Sequence, residues 1–235
     1  VPHHRHGPVF FDFFGTLADY PADGREDLRR TRALLAGWGS ALDSDAFHAR
    51  WAACFARLEQ RARTSHREYH LRDVVTSFLG DALARAPRAD EIEAYIDCYI
   101  GEWRSAVHVP AAVVELVRDL GADRALAVVS NTHLETLVPD LLMAAGILDA
   151  FAAVVTSVEV GWRKPHPAIF RTACRSLGVP PDTVVFAGDT YDADYVGPTR
   201  AGMRAFLIDP AGRAAVPTNR RLGSVLDLRD RLPVR

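Results

Sequence analysis

Four short segments carry side chains able to do chemistry, and each sits where an apolar run stops. Val9-Phe10-Phe11 ends in Asp12 and turns at once through Phe13-Phe14-Gly15-Thr16-Leu17. Ala125 to Val129 runs into Ser130-Asn131-Thr132-His133, and Ala153 to Thr156 leads to Gly161-Trp162-Arg163-Lys164-Pro165-His166-Pro167. Thr183 to Ala187 ends in Gly188-Asp189-Thr190-Tyr191-Asp192-Ala193-Asp194. A carboxylate can attack an electrophile, hydroxyls and amides can donate to an anion, and an ammonium can neutralise one. Three acids between Asp189 and Asp194 repel one another unless a cation, a basic partner or solvent offsets them, so a bound divalent metal is the simplest expectation. Oxygen-only ligands favour Mg²⁺ over zinc. Taken singly, the segments have plainer readings: Asp12 as a turn former, Ser130 to Thr132 as a helix N-cap.

The apolar runs are what must position these groups. Three consecutive apolar residues before Asp12 suit a strand covered on both faces, and Gly15 permits a sharp exit. Leu134, Leu137, Leu141, Leu142 and Ala145 have helical spacing, and Pro165 or Pro167 can open another helix. Strands alternating with helices imply a parallel sheet with right-handed crossovers, which puts all four corners at its carboxyl edge. A last strand is expected at Ala205 to Ile208 after a helix near Val196 to Met203, with Arg213 to Arg235 a polar tail carrying one more helix. Only one of the 28 basic residues is a lysine, Lys164. In a chain so committed to arginine, a compact ammonium retained at such a corner points to a task that a planar guanidinium cannot do.

Composition frames the rest. A chain of 235 residues, 49% hydrophobic and 25% charged, can bury a large core with a smaller insert. A net charge of −2 offers no basic face to nucleic acid, and no apolar run reads as a membrane span or signal peptide, so a cytoplasmic location is expected. Cys54, Cys98 and Cys174 have neither pairing nor zinc spacing. The His-rich start, Val1 to Gly7, reads as a solvated tail. The arginine bias suggests a GC-rich bacterial genome, and the chain is expected to act as a monomer or homodimer.

Asp12-Phe13-Phe14-Gly15-Thr16-Leu17, Ser130-Asn131, Lys164-Pro165 and Gly188-Asp189 with Asp194 resemble, in order, the four motifs of the haloacid dehalogenase-like hydrolases. The resemblance implies an α/β fold, a Rossmann-like parallel sheet core at residues 1–20 and 106–235 with an inserted all-helical cap at 21–105. Residues 21–105 agree in being strandless, with helical periodicity at Ala46 to Ala62, Arg72 to Ala86 and Asp90 to Trp103. It further implies Asp12 as nucleophile, Lys164 as its ammonium partner, Ser130 and Asn131 as donors to the substrate, and Thr16 fixing the first loop. Mg²⁺ would be held by Asp12, Asp189, the Phe14 backbone carbonyl and Asp194. Phe14, Gly15 and His133 would line the substrate site, and the cap stretch with Arg63, His66 and Tyr69 would meet a small anionic metabolite.

One position departs from the family pattern. Phosphatases of this kind usually have an acid two residues past the nucleophile, where this chain has Phe14. General acid–base help is worth roughly 10²–10⁴-fold, so the absence matters. The expectation is a Mg²⁺-dependent phosphatase working through an aspartyl phosphate, its acid/base replaced by Phe14, with His133, Tyr191, Asp192, His66 and His70 as candidate substitutes. Two alternatives stand beside it. A 2-haloacid dehalogenase would use Asp12 on carbon, since halide departure needs no proton; a catalytically impaired scaffold would use the fold for binding.

Overall fold

The computed structural model describes residues 6–20 and 28–232. The His-rich reading of the first residues falls largely outside this range. Two compact units are present, one of Val1–Tyr20 with His108–Arg235, the other of Pro21–Val107.

Chain order starts with β1 (Val9–Phe11) in the first unit. The second unit then supplies α1 (Arg29–Gly37), α2 (Ser44–Ser65), α3 (Leu71–Leu83) and α4 (Ala89–Arg104). Asp43 caps α2 by accepting from the Ala46 amide at 2.8 Å. These four helices close on an aromatic core in which Trp51 lies 5.0 Å from Phe78, 5.3 Å from Tyr95 and 4.9 Å from Tyr99, centroid to centroid. Trp38 and Trp103 pack against the same core. At the start of α4, Glu91 accepts two bonds from Arg85, at 2.6 and 2.8 Å, and one from the Arg88 amide at 2.9 Å.

The first unit resumes with α5 (Ala111–Asp123), β2 (Leu126–Ser130), α6 (Leu137–Ala144), β3 (Ala153–Thr156), α7 (Ser157–Val160) and α8 (Pro167–Leu177). It ends with β4 (Val185–Gly188), α9 (Gly197–Arg200), β5 (Arg204–Ile208) and β6 (Arg221–Leu222). All six strands are parallel, in the order β3-β2-β1-β4-β5-β6. Such a Rossmann-like sheet needs both faces covered, and β1, β2 and β4 are buried throughout. On one side Phe10, Val129 and Phe186 pack with Ile169, Phe170 and Ala173 of α8. Because the chain builds outward from β1 first on one side and then on the other, the crevice beside β1 is the switch point where such sheets bind ligands.

The tail and the segment after β4 differ from the sequence reading, which also did not anticipate α1 or α7. The tail contains β6, a strand too short to show a period, and 3-10 turns at Thr218–Arg220 and Val225–Arg231 in place of an α-helix. The segment after β4 is a π-helix, Tyr191–Val196, running into α9. Where the chain leaves and rejoins the first unit, Asp19 and His108 exchange both backbone bonds: Asp19 N–H to His108 C=O at 2.8 Å and the reverse at 2.9 Å. No helix among the described residues is long and apolar enough to cross a membrane.

Candidate active site

Asp12 follows β1 directly, and its amide donates to the Ala187 carbonyl of β4 at 2.9 Å. The next residues coil tightly, with the amides of Leu17 and Ala18 both donating to Phe13 C=O, and Gly15 takes a φ of +78°. That turn cannot carry a side chain at Gly15: a Cβ there would sit 2.3 Å from Asp189 Oδ2. Thr16 Oγ1 lies 3.4 Å from Asp12 Oδ2, so the hydroxyl steadies the carboxylate within its own loop.

Lys164 reaches Asp12 from the loop between α7 and α8. Its ammonium is 2.5 Å from Asp12 Oδ1 and 2.7 Å from Asp194 Oδ1, with only 2% of the side chain exposed. Pro167 occupies the first turn of α8, and His166 Nδ1 accepts from the Ala168 amide at 3.2 Å, so this loop ends in a capped helix. Ser130 terminates β2 fully buried and is followed by Asn131 and the half-buried His133. These residues do not cap α6, which begins only at Leu137. Asn131 turns its amide to the backbone of Lys164, accepting from N–H at 2.8 Å and donating to C=O at 3.1 Å.

The third acid arrives through the π-helix, a wide turn often found at functional sites. It folds Asp194 back so that its Oδ2 accepts from the Thr190 amide at 2.9 Å. Gly188 makes room for it, since a Cβ there would lie 2.5 Å from the Asp194 Cβ. Asp189 accepts from Thr190 Oγ1 at 3.3 Å.

Charge follows from this crowding. Burial pushes the Asp12 carboxyl up to about 7, against the pull of Lys164 and with added repulsion from Asp194 and Asp189. Burial and Asp194 also raise Asp189. Burial pulls Lys164 down, yet Asp12 and Asp194 more than compensate and hold its ammonium above the ordinary lysine range. One oxygen from each of Asp12, Asp189 and Asp194 lies within 4.8 Å of the others. Three carboxylates facing one ammonium leave two negative charges in excess when all are ionised, which a divalent cation offsets; the oxygen-only donor set suits Mg²⁺. The cluster therefore forms a Mg²⁺ site.

The expectation of a phosphatase whose acid/base is replaced by Phe14 is overturned by this cluster. Asp12, Asp189 and Asp194 are all present and assembled, so the aspartate machinery is intact. Phe14 takes no acid's place in it: its ring packs edge-on against Phe13 at 4.9 Å and against Tyr20 at 5.7 Å. The misreading came from inferring a missing group from a chain offset, whereas the site draws its acids from separate corners. The alternative, Asp12 attack on carbon, accords better with it.

The remaining predicted residues lie in the other unit. Arg63 pairs with Glu59 at 3.1 Å, Tyr69 is buried with its hydroxyl donating to Glu59 at 3.3 Å, and His66 ends α2 in a left-handed conformation. Sequence reasoning missed Tyr20, whose phenol is raised by burial and by the charges of Asp189 and Asp12. It also missed the Trp162–His166 stack at 3.8 Å beside Lys164. A tyrosine in an irregular loop leaves no periodic signal, and Trp162 and His166 differ in no compositional way from ordinary loop residues.

A parallel α/β core whose first strand ends in a buried carboxylate, held by a lone ammonium and flanked by two further acids, defines a hydrolase with an aspartate nucleophile. A family model described as haloacid dehalogenase-like hydrolase matches residues 9–202. The chain belongs to that family. Haloacid dehalogenase-like hydrolase domain-containing protein 3 of Bos taurus is 38% identical over 109 residues, 44% of this chain and 43% of that protein. The chain thus spans less than half the length of the curated relatives it first matches. Phosphoserine phosphatase of Thermus thermophilus is 30% identical over 184 residues, 77% of this chain and 70% of its own length. Among solved structures, 2-haloacid dehalogenase from Pseudomonas syringae pv. Tomato DC3000 shares the fold with a TM-score of 0.69 at 22% identity, over 96% of this chain and 97% of that one.

Proposed function

We propose that this hydrolase cleaves carbon–halogen bonds in a small 2-halo acid, with Asp12 as nucleophile. The observation that carries the reading is an intact Asp12, buried and paired with the Lys164 ammonium beside Asp189 and Asp194. A halide leaves without a proton, so this surrounding suits it. Asp12 Oδ1 is held by Lys164 at 2.5 Å, while Oδ2 has only the longer Thr16 contact at 3.4 Å, which leaves Oδ2 as the attacking atom. Oδ2 forms a bond to the α-carbon as the halide departs with the bonding pair. Water then adds to the carboxyl carbon of the aspartyl ester, releasing a 2-hydroxy acid and a proton and restoring the carboxylate. Lys164 stabilises the negative charge that gathers on Oδ1 in that second step.

Asp12, Asp189, Asp194 and the Phe14 carbonyl would hold Mg²⁺, which when bound supplies positive charge against acid repulsion and toward an anionic substrate. Ser130, Gly15 and His133 are assigned to the substrate side of the core. In the cap, Arg63 pairs with Glu59 at 3.1 Å and Tyr69 donates to the same acid at 3.3 Å. The test is halide release from 2-chloro- and 2-bromopropanoate, in EDTA and in Mg²⁺. Asp12→Asn should lower turnover by roughly 10⁴- to 10⁶-fold, and a single turnover in heavy-oxygen water should label the Asp12 carboxyl. Hydrolysis of p-nitrophenyl phosphate with no halide release from either acid would overturn the proposal.

A further inference from the structure

Besides the donation to substrate expected of it, the Asn131 side chain is bound to the backbone of Lys164. Its amide oxygen accepts from the Lys164 backbone N–H at 2.8 Å and its amide nitrogen donates to the Lys164 C=O at 3.1 Å. A side-chain amide matched in this way to one residue's donor and acceptor copies a rung of sheet pairing, and two bonds fix both the position and the tilt of that residue. One N–H of the amide nitrogen is used in this pair, and the second stays free to donate elsewhere.

The loop it grips is braced nearby as well. Thr132 N–H donates to Ser157 Oγ at 2.9 Å, and that hydroxyl donates back to Thr132 C=O at 3.2 Å, tying the end of β2 to the start of α7. Beyond Lys164, Pro165 packs so closely on Gly197 that a Cβ there would lie 3.0 Å from its ring. Between these braces, the Asn131 pair is the contact that acts on residue 164 itself. The ammonium stands at the end of a flexible four-carbon stem, so the placement of that backbone decides whether Nζ reaches Asp12 at 2.5 Å and Asp194 at 2.7 Å.

We propose that Asn131 is a positioning residue for the reacting pair: it sets the reach of Lys164 to Asp12 through the backbone of residue 164. The inference rests on the reading of Asp12 and Lys164 as that pair. A shift of the ammonium by an ångström would cost turnover.

The chain offers an unusually clean assay, because Lys164 is its only lysine. Protein grown on isotope-labelled lysine gives one backbone amide signal and one set of lysine side-chain signals, all from residue 164. In Asn131→Ala the amide should exchange faster with solvent, and the side-chain signals should move toward those of free lysine. In the halide assay kcat should fall by about 10- to 100-fold, more than KM rises. Combined with Lys164→Ala, the substitution should add no further loss. Asn131→Asp keeps the acceptor for the N–H but sets a charge against the carbonyl, so intermediate values are expected; it carries the same readouts if the alanine variant does not fold. Unmoved side-chain signals with a raised KM, or an additive loss in the double variant, would overturn the assignment. The spectroscopic arm contains no substrate, so an error in the halide reading would show as an inactive parent with the Asn131-dependent shifts still present.

Discussion

Removing the ammonium from the cluster is the sharpest perturbation the structure suggests. Lys164→Met keeps the buried stem and deletes the only positive group within ion-pairing distance of Asp12 and Asp194 among the described contacts. At an effective dielectric constant of about 20, each contact near 2.6 Å represents roughly 6 kcal/mol of gross attraction, most of which offsets the desolvation of the charges. The net effect of breaking a buried pair is smaller, about 3–5 kcal/mol, because the surviving carboxylates stay buried without compensation. For a protein of this size that corresponds to a fall in Tm of about 6–20 °C. Thermal melts at pH 8 in EDTA would measure it. Adding Mg²⁺ should recover more of the loss in the variant than it adds to the parent, since the cation then supplies the missing charge. The double variant Lys164→Met with Asp194→Asn should also regain stability, one surplus charge having been removed. A fall of less than about 2 °C, or a double variant no more stable than the single one, would refute the view of Lys164 as the cluster's counterion.

Other positions offer independent checks. Gly188→Ala would place a methyl 2.5 Å from the Asp194 Cβ, so the acid must swing out. A destabilisation of about 1–3 kcal/mol is expected, together with weakened Mg²⁺ binding by calorimetry, and unchanged binding would show that Asp194 does not contribute. In the cap, the bonds from Arg85 and the Arg88 amide hold the Glu91 carboxyl down at about 2. A depressed acid contributes stability above its unfolded value near 4.5 and loses it as pH falls through about 2. Glu91→Gln should therefore lower the cap's melting temperature at pH 7, and the deficit should shrink steadily below pH 5; a deficit independent of pH would count against the ion-pair account.

The corners were legible because a buried strand has to be a short apolar run and its polar terminus stands out against it. Asp12 and Ser130 announce themselves in this way, and Lys164 does so by being the lone lysine. What stayed hidden has physical reasons. A strand of two residues, Arg221–Leu222, has no period to detect. The π-helix depends on Gly188 yielding space to Asp194, a steric condition invisible in composition. Asn131 bonds a backbone, and any residue presents the same N–H and C=O, so nothing in the chain marks its partner. Phe14 misled for the converse reason: its place beside Asp12 in the chain is obvious, while the direction its ring takes is decided by Phe13 and Tyr20.

The doubled backbone bond between Asp19 and His108 means that the inserted segment begins and ends on a single rung. To the sheet, the whole excursion is equivalent to one hairpin connection, whatever its length. Loop-closure entropy changes only slowly with added residues, by about 0.6 kcal/mol per doubling, so the segment inserted at that rung could be lengthened or exchanged while the sheet kept its register.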